Sequence, residues 1–143
     1  MQTTPLIKYR LVGITAGQFA TIQEPTSNSV DIRLGVSIGT NFDKRALGIS
    51  TAFQFVNSDC VFMQIENTCH YEIEEEWWEA NLNSSGEITL PSGFIKNLIA
   101  LTINTTRGVL FAKTENTPYN KYFLPLLDAN NIEADDFVMK KEE

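Results

Sequence analysis

The chain has 143 residues and a formal net charge of −7, from 18 acidic and 11 basic side chains. This length fits one domain, and 43 % hydrophobic residues suffice for a core. The acidic balance argues against nucleic-acid binding, which would concentrate Lys and Arg on one face. No apolar run reaches the roughly 18–20 residues that span a bilayer, and residues 1–5 lack the basic and apolar regions of a signal peptide. We therefore expect a single cytoplasmic domain over residues 1–143.

Alternation of apolar and polar residues predicts β-strands in the first half of the chain. The first covers residues 6–23, with a bulge near Gly13 where the apolar series changes face. Residues 29–40 and 47–55 form the second and third strands, joined by a turn over residues 41–44. These links are too short for crossovers, so antiparallel hairpins are expected. The inward positions assigned in this sheet are all apolar: Ile32, Leu34, Val36, Ile49, Phe53 and Met63.

A fourth alternation begins at Val61 and directs odd-numbered residues as far as Ile73 toward the core, with Asn67 as the polar exception. The outward positions that continue this series carry four carboxylates: Glu66, Glu72, Glu74 and Glu76. Like charges about 7 Å apart on one strand repel each other. One interpretation is a surface that docks a basic partner. The other is an ordinary solvated surface that keeps the protein soluble.

The outward faces of the second and third strands consist of small residues, which are Gly35, Ser37, Gly39, Gly48, Ser50 and Ala52. Such a face allows another backbone or a helix to approach closely. It lacks the Lys and Glu side chains that solubility favours, so we expect it to be covered or to contact a client protein. The alternative is a solvated face on weak strands.

From Pro91 onward the period changes to that of a helix, with apolar residues at i, i+4 and i+7 from Phe94. Arg107 followed by Gly108 is the expected end of this helix, since it places a cation in the last turn and a glycine after it. The segment is apolar around much of its circumference. We therefore expect it to be buried on more than one side, with subunits meeting across it.

The tail, residues 113–143, is polar except for an apolar group at residues 122–127. Four aromatic side chains of the chain are hard to place in the core: Trp77, Trp78, Tyr122 and Phe123. Aromatic area beside carboxylates is common on recognition surfaces. We take these four as candidate contacts for a bound client. For at least one of the two tryptophans, capping of the core is an equally good interpretation.

The sequence holds no residue constellation that points to catalysis. It has one histidine, His70, and lacks a glycine-rich phosphate loop, a nucleophile elbow and a His-rich metal motif. His70 and Glu72 lie two positions apart and could share a ligand or a metal ion, whereas a solvated histidine is the simpler interpretation. Cys60 and Cys69 are too far apart along an extended strand to bridge, and they are too few for a structural zinc site. We expect neither enzymatic activity nor a cofactor.

Four segments carry a resemblance to a known family. They are residues 9–12 with the following Glu24 and Pro25, residues 69–73, residues 101–108, and residues 124–128. In this order they resemble the first strand and its exit, the fourth strand, the Arg-Gly end of the main helix, and the Leu-Pro segment before the last helix of the SecB family of bacterial export chaperones. The likeness spans about residues 7–137 and depends on order and spacing.

The resemblance implies an α+β fold with a four-stranded antiparallel sheet, a long buried helix and a short C-terminal helix. It implies a homotetramer, built as a dimer of dimers, in which the helices lie between sheets. It further implies a holdase, a chaperone that binds unfolded or precursor proteins in apolar grooves, and an acidic sheet face that docks the export motor ATPase.

The chain departs from the family at the start of the main helix, where residues 95–98 stand in place of the family's Pro-Tyr-Ala-Arg. We therefore expect a divergent member, whose clients are exported proteins or one dedicated partner such as an antitoxin. Two other classes stay open. One is a small enzyme or apolar-ligand-binding protein with its pocket between sheet and helix, against which the apolar inward positions argue. The other is a purely structural subunit of an assembly.

Overall fold

The computed structural model describes residues 6–27 and 29–141 of the chain. Within this part the chain forms six β-strands, two α-helices and two short 3-10 helices. In chain order they are β1 (Tyr9–Thr21), β2 (Asp31–Asn41), β3 (Ala46–Asn57), β4 (Cys60–Ile73), α1 (Glu75–Asn81), β5 (Glu87–Leu90), α2 (Ser92–Thr114), the 3-10 helices Pro118–Lys121 and Ala129–Asn131, and β6 (Phe137–Lys140). The predicted bounds 1–143 include residues 1–5, 28 and 142–143, which lie outside the described residues.

The main sheet has the strand order β1-β4-β3-β2, and all neighbouring strands are antiparallel. This confirms the predicted α+β fold with a four-stranded antiparallel sheet and a long helix. The register between β1 and β4 shifts between Leu11 and Gly13, which confirms the predicted bulge, and shifts again between Ala16 and Phe19. β2 pairs with β3 at eleven consecutive positions without a shift.

The long helix α2 begins after Pro91 and continues through Gly108 to Thr114. The predicted end at Arg107 and Gly108 is therefore wrong. A glycine inside a helix costs only about 1 kcal/mol, and the following turn buries Leu110 completely in the core. That burial offsets the cost of the glycine, so the helix continues for six residues beyond it.

The core lies between α2 and the two central strands, β3 and β4. The helix is fixed there by a polar ladder, which consists of Thr51, Asn67 and Tyr71 on the sheet and Thr102 and Thr106 on the helix. Thr106 Oγ1 lies 2.9 Å from Thr51 Oγ1 and accepts from Asn67 Nδ2 at 3.2 Å, and Tyr71 OH lies 2.9 Å from Thr102 Oγ1. Asn67, the polar exception of the alternation, is thus buried because it contacts the helix. Its Oδ1 has no hydrogen-bond partner among the described residues.

The tail returns along α2 and ends in β6, which pairs with β5 in a second, two-stranded sheet. The short helical segment expected in the tail is present as the two 3-10 helices. The β5–β6 pair was not predicted, because two four-residue strands far apart in sequence give no periodic signal. No helix in the described part of the chain has both the length and the apolar character to cross a membrane.

Candidate functional site

A groove of about 630 Å³ lies between β2 and the first half of α2. Leu34, Val36 and Ile38 line one wall, and Ile95 and Ile99 line the other. Leu34 is 43 % exposed and Val36 is 41 % exposed, although both lie on the sheet face that carries the helix. The groove is therefore an apolar surface open to solvent, with a volume typical of ligand sites.

The position of α2 explains why this groove is open. The polar ladder centres the helix on β3 and β4, and a helix is only about 10–12 Å wide with its side chains. Four strands spaced about 4.8 Å apart are wider than that. The apolar side chains of the two edge strands, β1 and β2, are consequently left beside the helix with only partial cover.

The tail forms the outer wall of the groove through Leu127, Ile132 and Phe137. On one side of this wall, Arg107 of α2 donates to the backbone oxygens of Leu124 and Pro125, at 3.4 and 2.6 Å. The Arg-Gly and Leu-Pro segments, which carry the family resemblance separately, are thus in direct contact.

The other end of the wall is held at the start of α2 and by the small sheet. The backbone N–H of Ser92 donates to Asp136 Oδ1 at 2.8 Å, so a tail carboxylate caps the helix where Pro91 offers no side-chain cap. β6 then pairs with β5, and Lys141 lies 3.9 Å from Asp43 in the turn between β2 and β3. The wall is therefore tethered at both ends.

Three exposed carboxylates border the groove on the tail side: Glu133, Asp135 and Asp136. None of them forms an ion pair with a cation in residues 6–27 or 29–141. The groove thus combines apolar walls with a negatively charged rim, a combination that favours apolar ligands with a positive charge.

None of the four aromatic residues predicted to contact clients lines this groove. Trp78 lies in the core, the alternative given for one of the two tryptophans, because it is 3 % exposed and packs edge-on against Phe42 with ring centroids 5.0 Å apart. Tyr122 is half-buried against Phe62. Trp77 is also half-buried, whereas Phe123 is 58 % exposed. Of the four, Phe123 offers the most free aromatic surface.

The four carboxylates predicted to form a row do not share one strand. Glu66 and Glu72 lie on the outward face of β4, but β4 ends at Ile73. Glu74 occupies the N-cap position of α1 without a side-chain capping hydrogen bond, and Glu76 lies in the first turn, where a carboxylate is favoured by the partial positive charge of the helix N-terminus. The chain therefore turns into a helix where the alternation predicted a continuing strand.

Two of these carboxylates lie close to basic side chains from distant parts of the sequence. Glu72 Oε1 lies 3.2 Å from Arg10 Nη2 and 3.9 Å from Arg45 Nη2, and Glu74 lies 4.0 Å from Lys8. These cations come from β1, from the residue that precedes it and from the β2–β3 turn, although the local sequence around the carboxylates holds no basic residue. Within the described residues, Glu66 and Glu76 form no ion pair.

The outward face of the sheet is as small and polar as the sequence predicted. The register aligns its side chains in rows across β2, β3, β4 and β1: Ser37, Ser50, Thr68 and Thr15 in one row, and Gly39, Gly48, His70 and Gly13 in the next. His70 Nε2 lies 2.9 Å from Thr15 Oγ1. No group of three His, Cys, Asp or Glu side chains in the described part of the chain is arranged to hold a metal ion.

A second apolar surface lies on the opposite flank of α2, beside β1. Asn97 of the helix donates to Tyr9 OH at 3.0 Å, so this side of α2 faces β1. Leu101, one turn further, is partly exposed, and so are Leu11 and Ile14 on the same flank of the sheet. In the single chain, α2 is therefore buried against the sheet and partly exposed toward solvent. The predicted burial on several sides would need another subunit.

The sequence predicts the face of the β2 residues in this groove but not the groove itself. Leu34 and Val36 lie on the predicted inward face, which the structure confirms, and they are nevertheless exposed to solvent. The alternation gives the face of a side chain and carries no information on how far the helix extends over it. The tail residues of the wall have no periodic pattern that would have placed them there.

The fold is shared with a protein of known structure. A SecB-like chaperone of Mycobacterium tuberculosis, solved in complex with a ChAD peptide from the HigA1 antitoxin, superposes with a TM-score of 0.51 at 13 % identity, over 84 % of this chain and 88 % of that one. A Streptococcus agalactiae protein of unknown function matches with a TM-score of 0.42 at 10 % identity, over 86 % and 99 % of the two chains. Neither a family model nor a curated protein matches the sequence. The likeness to the chaperone therefore concerns the fold.

Proposed function

We propose that the protein is a SecB-like holdase that binds unfolded or precursor proteins in the groove between β2 and α2. The observation that carries the proposal is the exposure of Leu34 and Val36 within an apolar groove, on a fold shared with a SecB-like chaperone. Holding an unfolded segment needs no bond chemistry. It requires apolar surface that is accessible before the client arrives.

The four aromatic residues differ in how accessible they are to a client. Phe123 and Trp77 are accessible enough to extend the client surface beyond the groove, whereas Trp78 and Tyr122 act by packing. A client contact at Phe123 would lie outside the groove, because Phe123 is not among the residues that line it.

The assembly in this proposal is a homotetramer, a dimer of dimers joined through the exposed β1 flank of α2. Leu11, Ile14 and Leu101 supply apolar area there, and burying them would satisfy the apolar circumference of the helix. Light scattering tests this part directly. A monomer of 16.1 kDa at micromolar concentration would contradict it.

The acidic face of the proposal consists of Glu66, Glu72, Glu74 and Glu76, and its partner is a basic surface such as that of an export motor ATPase. Its main support is Glu66 and Glu76, which form no ion pair with any residue that the structure describes, since Glu72 and Glu74 already contact cations of the same chain. Binding through such exposed charges should weaken as salt rises, because the screening length is about 8–10 Å at physiological ionic strength.

The holding activity is tested by diluting a denatured client into buffer with the protein and without nucleotide, and by following aggregation as light scattering. We expect suppression of aggregation by the wild type and loss of most of this suppression in a Leu34→Ser, Val36→Ser double variant. Both side chains are already partly exposed, so the fold should tolerate the change. Ile22→Ser removes an exposed apolar side chain away from the groove and is the matched control.

Equal suppression of aggregation by the wild type and the double variant would show that clients bind elsewhere than in the groove. No suppression of several unrelated clients by the wild type would contradict a general holdase. It would favour a protein with one dedicated partner.

A dedicated partner is the second candidate function, favoured by one observation. The structurally similar chaperone was solved with a peptide from an antitoxin, so this fold can hold one specific segment. Capture of partners from the native cell, followed by peptide mapping, distinguishes the two functions. A single recurring partner supports the dedicated function, and many unrelated partners support the general one.

A further inference from the structure

The polar ladder under α2 divides its hydrogen-bond donors and acceptors between sheet and helix. The two helix threonines donate their hydroxyl protons to their own helix, Thr102 to Leu98 O at 2.8 Å and Thr106 to Thr102 O at 2.7 Å. Their oxygens are therefore left to accept from the sheet. The donors on the sheet are Tyr71 OH toward Thr102, and Thr51 Oγ1 and Asn67 Nδ2 toward Thr106.

This division explains why a buried acceptor is left without a donor. Asn67 is 1 % exposed, and its Oδ1 has no hydrogen-bond partner among the described residues. A side-chain amide carries an acceptor as well as donors, and the two helix threonines have no proton left for it. Because a buried acceptor without a partner lowers stability, stability alone would not favour asparagine at this position.

The positions one turn before and one turn after the threonines are apolar. Along α2, four buried residues face the core at intervals of four: Leu98, Thr102, Thr106 and Leu110. A shift of the helix by one turn in one direction would place Leu110 opposite Asn67. A shift in the other direction would place Leu98 opposite Tyr71. In either case a buried donor of the sheet would lose its acceptor, which is costly.

A wholly apolar interface would distinguish these helix positions less sharply, because leucine and valine side chains pack against each other without directional bonds. A single polar residue in an otherwise apolar helix interface can fix one register at a cost in stability. The ladder has the same composition, with a few polar positions enclosed by the apolar core between α2, β3 and β4.

We propose that the polar ladder is a register key, a set of buried polar side chains that fixes α2 at a single position on the sheet and lowers stability relative to an all-apolar interface. Asn67 and Thr106 are its central positioning residues, because they form the rung that includes the orphaned amide oxygen. The inference goes beyond the proposed client binding and does not depend on what the protein binds.

The test compares the wild type with a ladder-free variant, in which the five polar side chains are replaced together by apolar ones of similar shape: Thr51→Val, Asn67→Val, Tyr71→Phe, Thr102→Val and Thr106→Val. Replacing both partners of each hydrogen bond leaves no ladder group buried and unpaired, unlike a single substitution. We expect the urea midpoint of this variant to equal or exceed that of the wild type.

The position of the helix is measured by pulsed electron paramagnetic resonance in a Cys60→Ser background. One spin label is attached at Asn104→Cys on α2 and the other at Arg33→Cys or Asn41→Cys on β2, which are exposed positions. Cys69 is completely buried and does not take up the label. A shift by one turn moves Asn104 by about 5.4 Å. We expect one narrow distance distribution with the ladder intact, and a broadened or double distribution in the ladder-free variant.

Ile103→Val is the matched control, since it shortens a completely buried helix side chain outside the ladder. It should lower the urea midpoint and leave the distances unchanged. Thr106→Ser and Thr106→Val form a second pair with milder changes. Serine retains the acceptor and should keep the wild-type distances, whereas valine leaves Asn67 Nδ2 and the Thr51 hydroxyl without a partner and should broaden them.

A ladder-free variant that keeps the narrow wild-type distances would overturn the inference, because apolar packing alone would then fix the helix. A folded ladder-free variant with a midpoint clearly below the wild type also overturns it, since the ladder would then stabilise the chain. If the five substitutions prevent folding, the Thr106 pair decides, and identical distances for serine and valine would refute the register key. Client holding is measured separately by aggregation, so its failure leaves these outcomes unaffected.

Discussion

β2 and β3 have the same alternating pattern, but their inward side chains differ in burial. Leu34 of β2 and Phe53 of β3 are directly paired in the register and point to the same face of the sheet. Phe53 is 1 % exposed and Leu34 is 43 % exposed. The difference comes from α2, which covers β3 and β4 and leaves β2 at its side. The pattern of a strand therefore sets the face, and the position of the helix decides whether that face becomes core or binding surface.

The largest expected effect is a difference in stability loss between substitutions at these two paired positions. Phe53→Ala should lower the free energy of unfolding by about 3–5 kcal/mol, because it leaves a cavity under the helix. Leu34→Ala should lower it by about 1 kcal/mol or less, because much of the side chain is already in water. Urea denaturation followed by circular dichroism measures both. Similar losses for the two variants would mean that the groove is closed in solution.

The tail wall beside the open strand is probed by Arg107→Ala. This change removes the guanidinium that donates to Leu124 O and Pro125 O. We expect a loss of about 1–3 kcal/mol, as for hydrogen bonds from a charged donor, together with faster hydrogen exchange in β6. Lys113→Ala, at an exposed helix position, is the control and should change neither quantity measurably. Unchanged exchange in the Arg107 variant would show that the contacts at the other end of the wall, from Asp136 to β6, are sufficient to hold it.

Burial of the centre of the sheet under α2 should also affect the pH dependence of stability. Burial raises the pKa of the Tyr71 hydroxyl, so the folded protein retains this proton when the unfolded chain loses it at about pH 10. The contribution of Tyr71 to stability is therefore complete below about pH 10 and is lost progressively as the pH rises above it.

Tyr71→Phe should cost about 1 kcal/mol at neutral pH, since it removes the hydrogen bond to Thr102. It should also reduce the alkaline loss of stability, measured as urea midpoints between pH 8 and pH 11, a range set by the ordinary tyrosine pKa of about 10. The control Tyr122→Phe retains Tyr71, so its stability should fall at alkaline pH as much as that of the wild type. An identical alkaline decline in the Tyr71 variant would assign the effect to other groups.

The smallest expected effect concerns the outward face, where paired and unpaired carboxylates lie on the same strand. Glu72→Gln removes the contacts with Arg10 and Arg45 and should lower stability by less than about 1 kcal/mol, a loss that disappears in high salt. Glu66→Gln removes no ion pair of the described residues and should be neutral or slightly stabilising. The reverse order would show that the ion pairs of Glu72 contribute nothing in solution.

Several elements were predictable because their signal is local. The strict alternation of β2 and β3, the bulge near Gly13 and the inward series of β4 all appear where the sequence placed them. The tail was much less predictable. The β5–β6 pair and the contact of Arg107 with Leu124 join residues that are distant in sequence, and neither has a periodic pattern.

The sequence by itself determined the α+β class, from strand periods followed by a helix period, and the face of most residues in β2, β3 and β4, because side chains alternate with a period of two on any extended strand. It could not determine which of these side chains are shielded from solvent, since that depends on where α2 packs across the four strands. The polar ladder decides this, through Thr51, Asn67 and Tyr71 meeting two helix threonines. Only the tertiary structure therefore showed that Leu34 and Val36 line an open groove, that Trp78 belongs to the core, and that Glu72 and Glu74 have basic neighbours. Each of these outcomes depends on contacts between segments far apart in the chain, which local patterns do not encode.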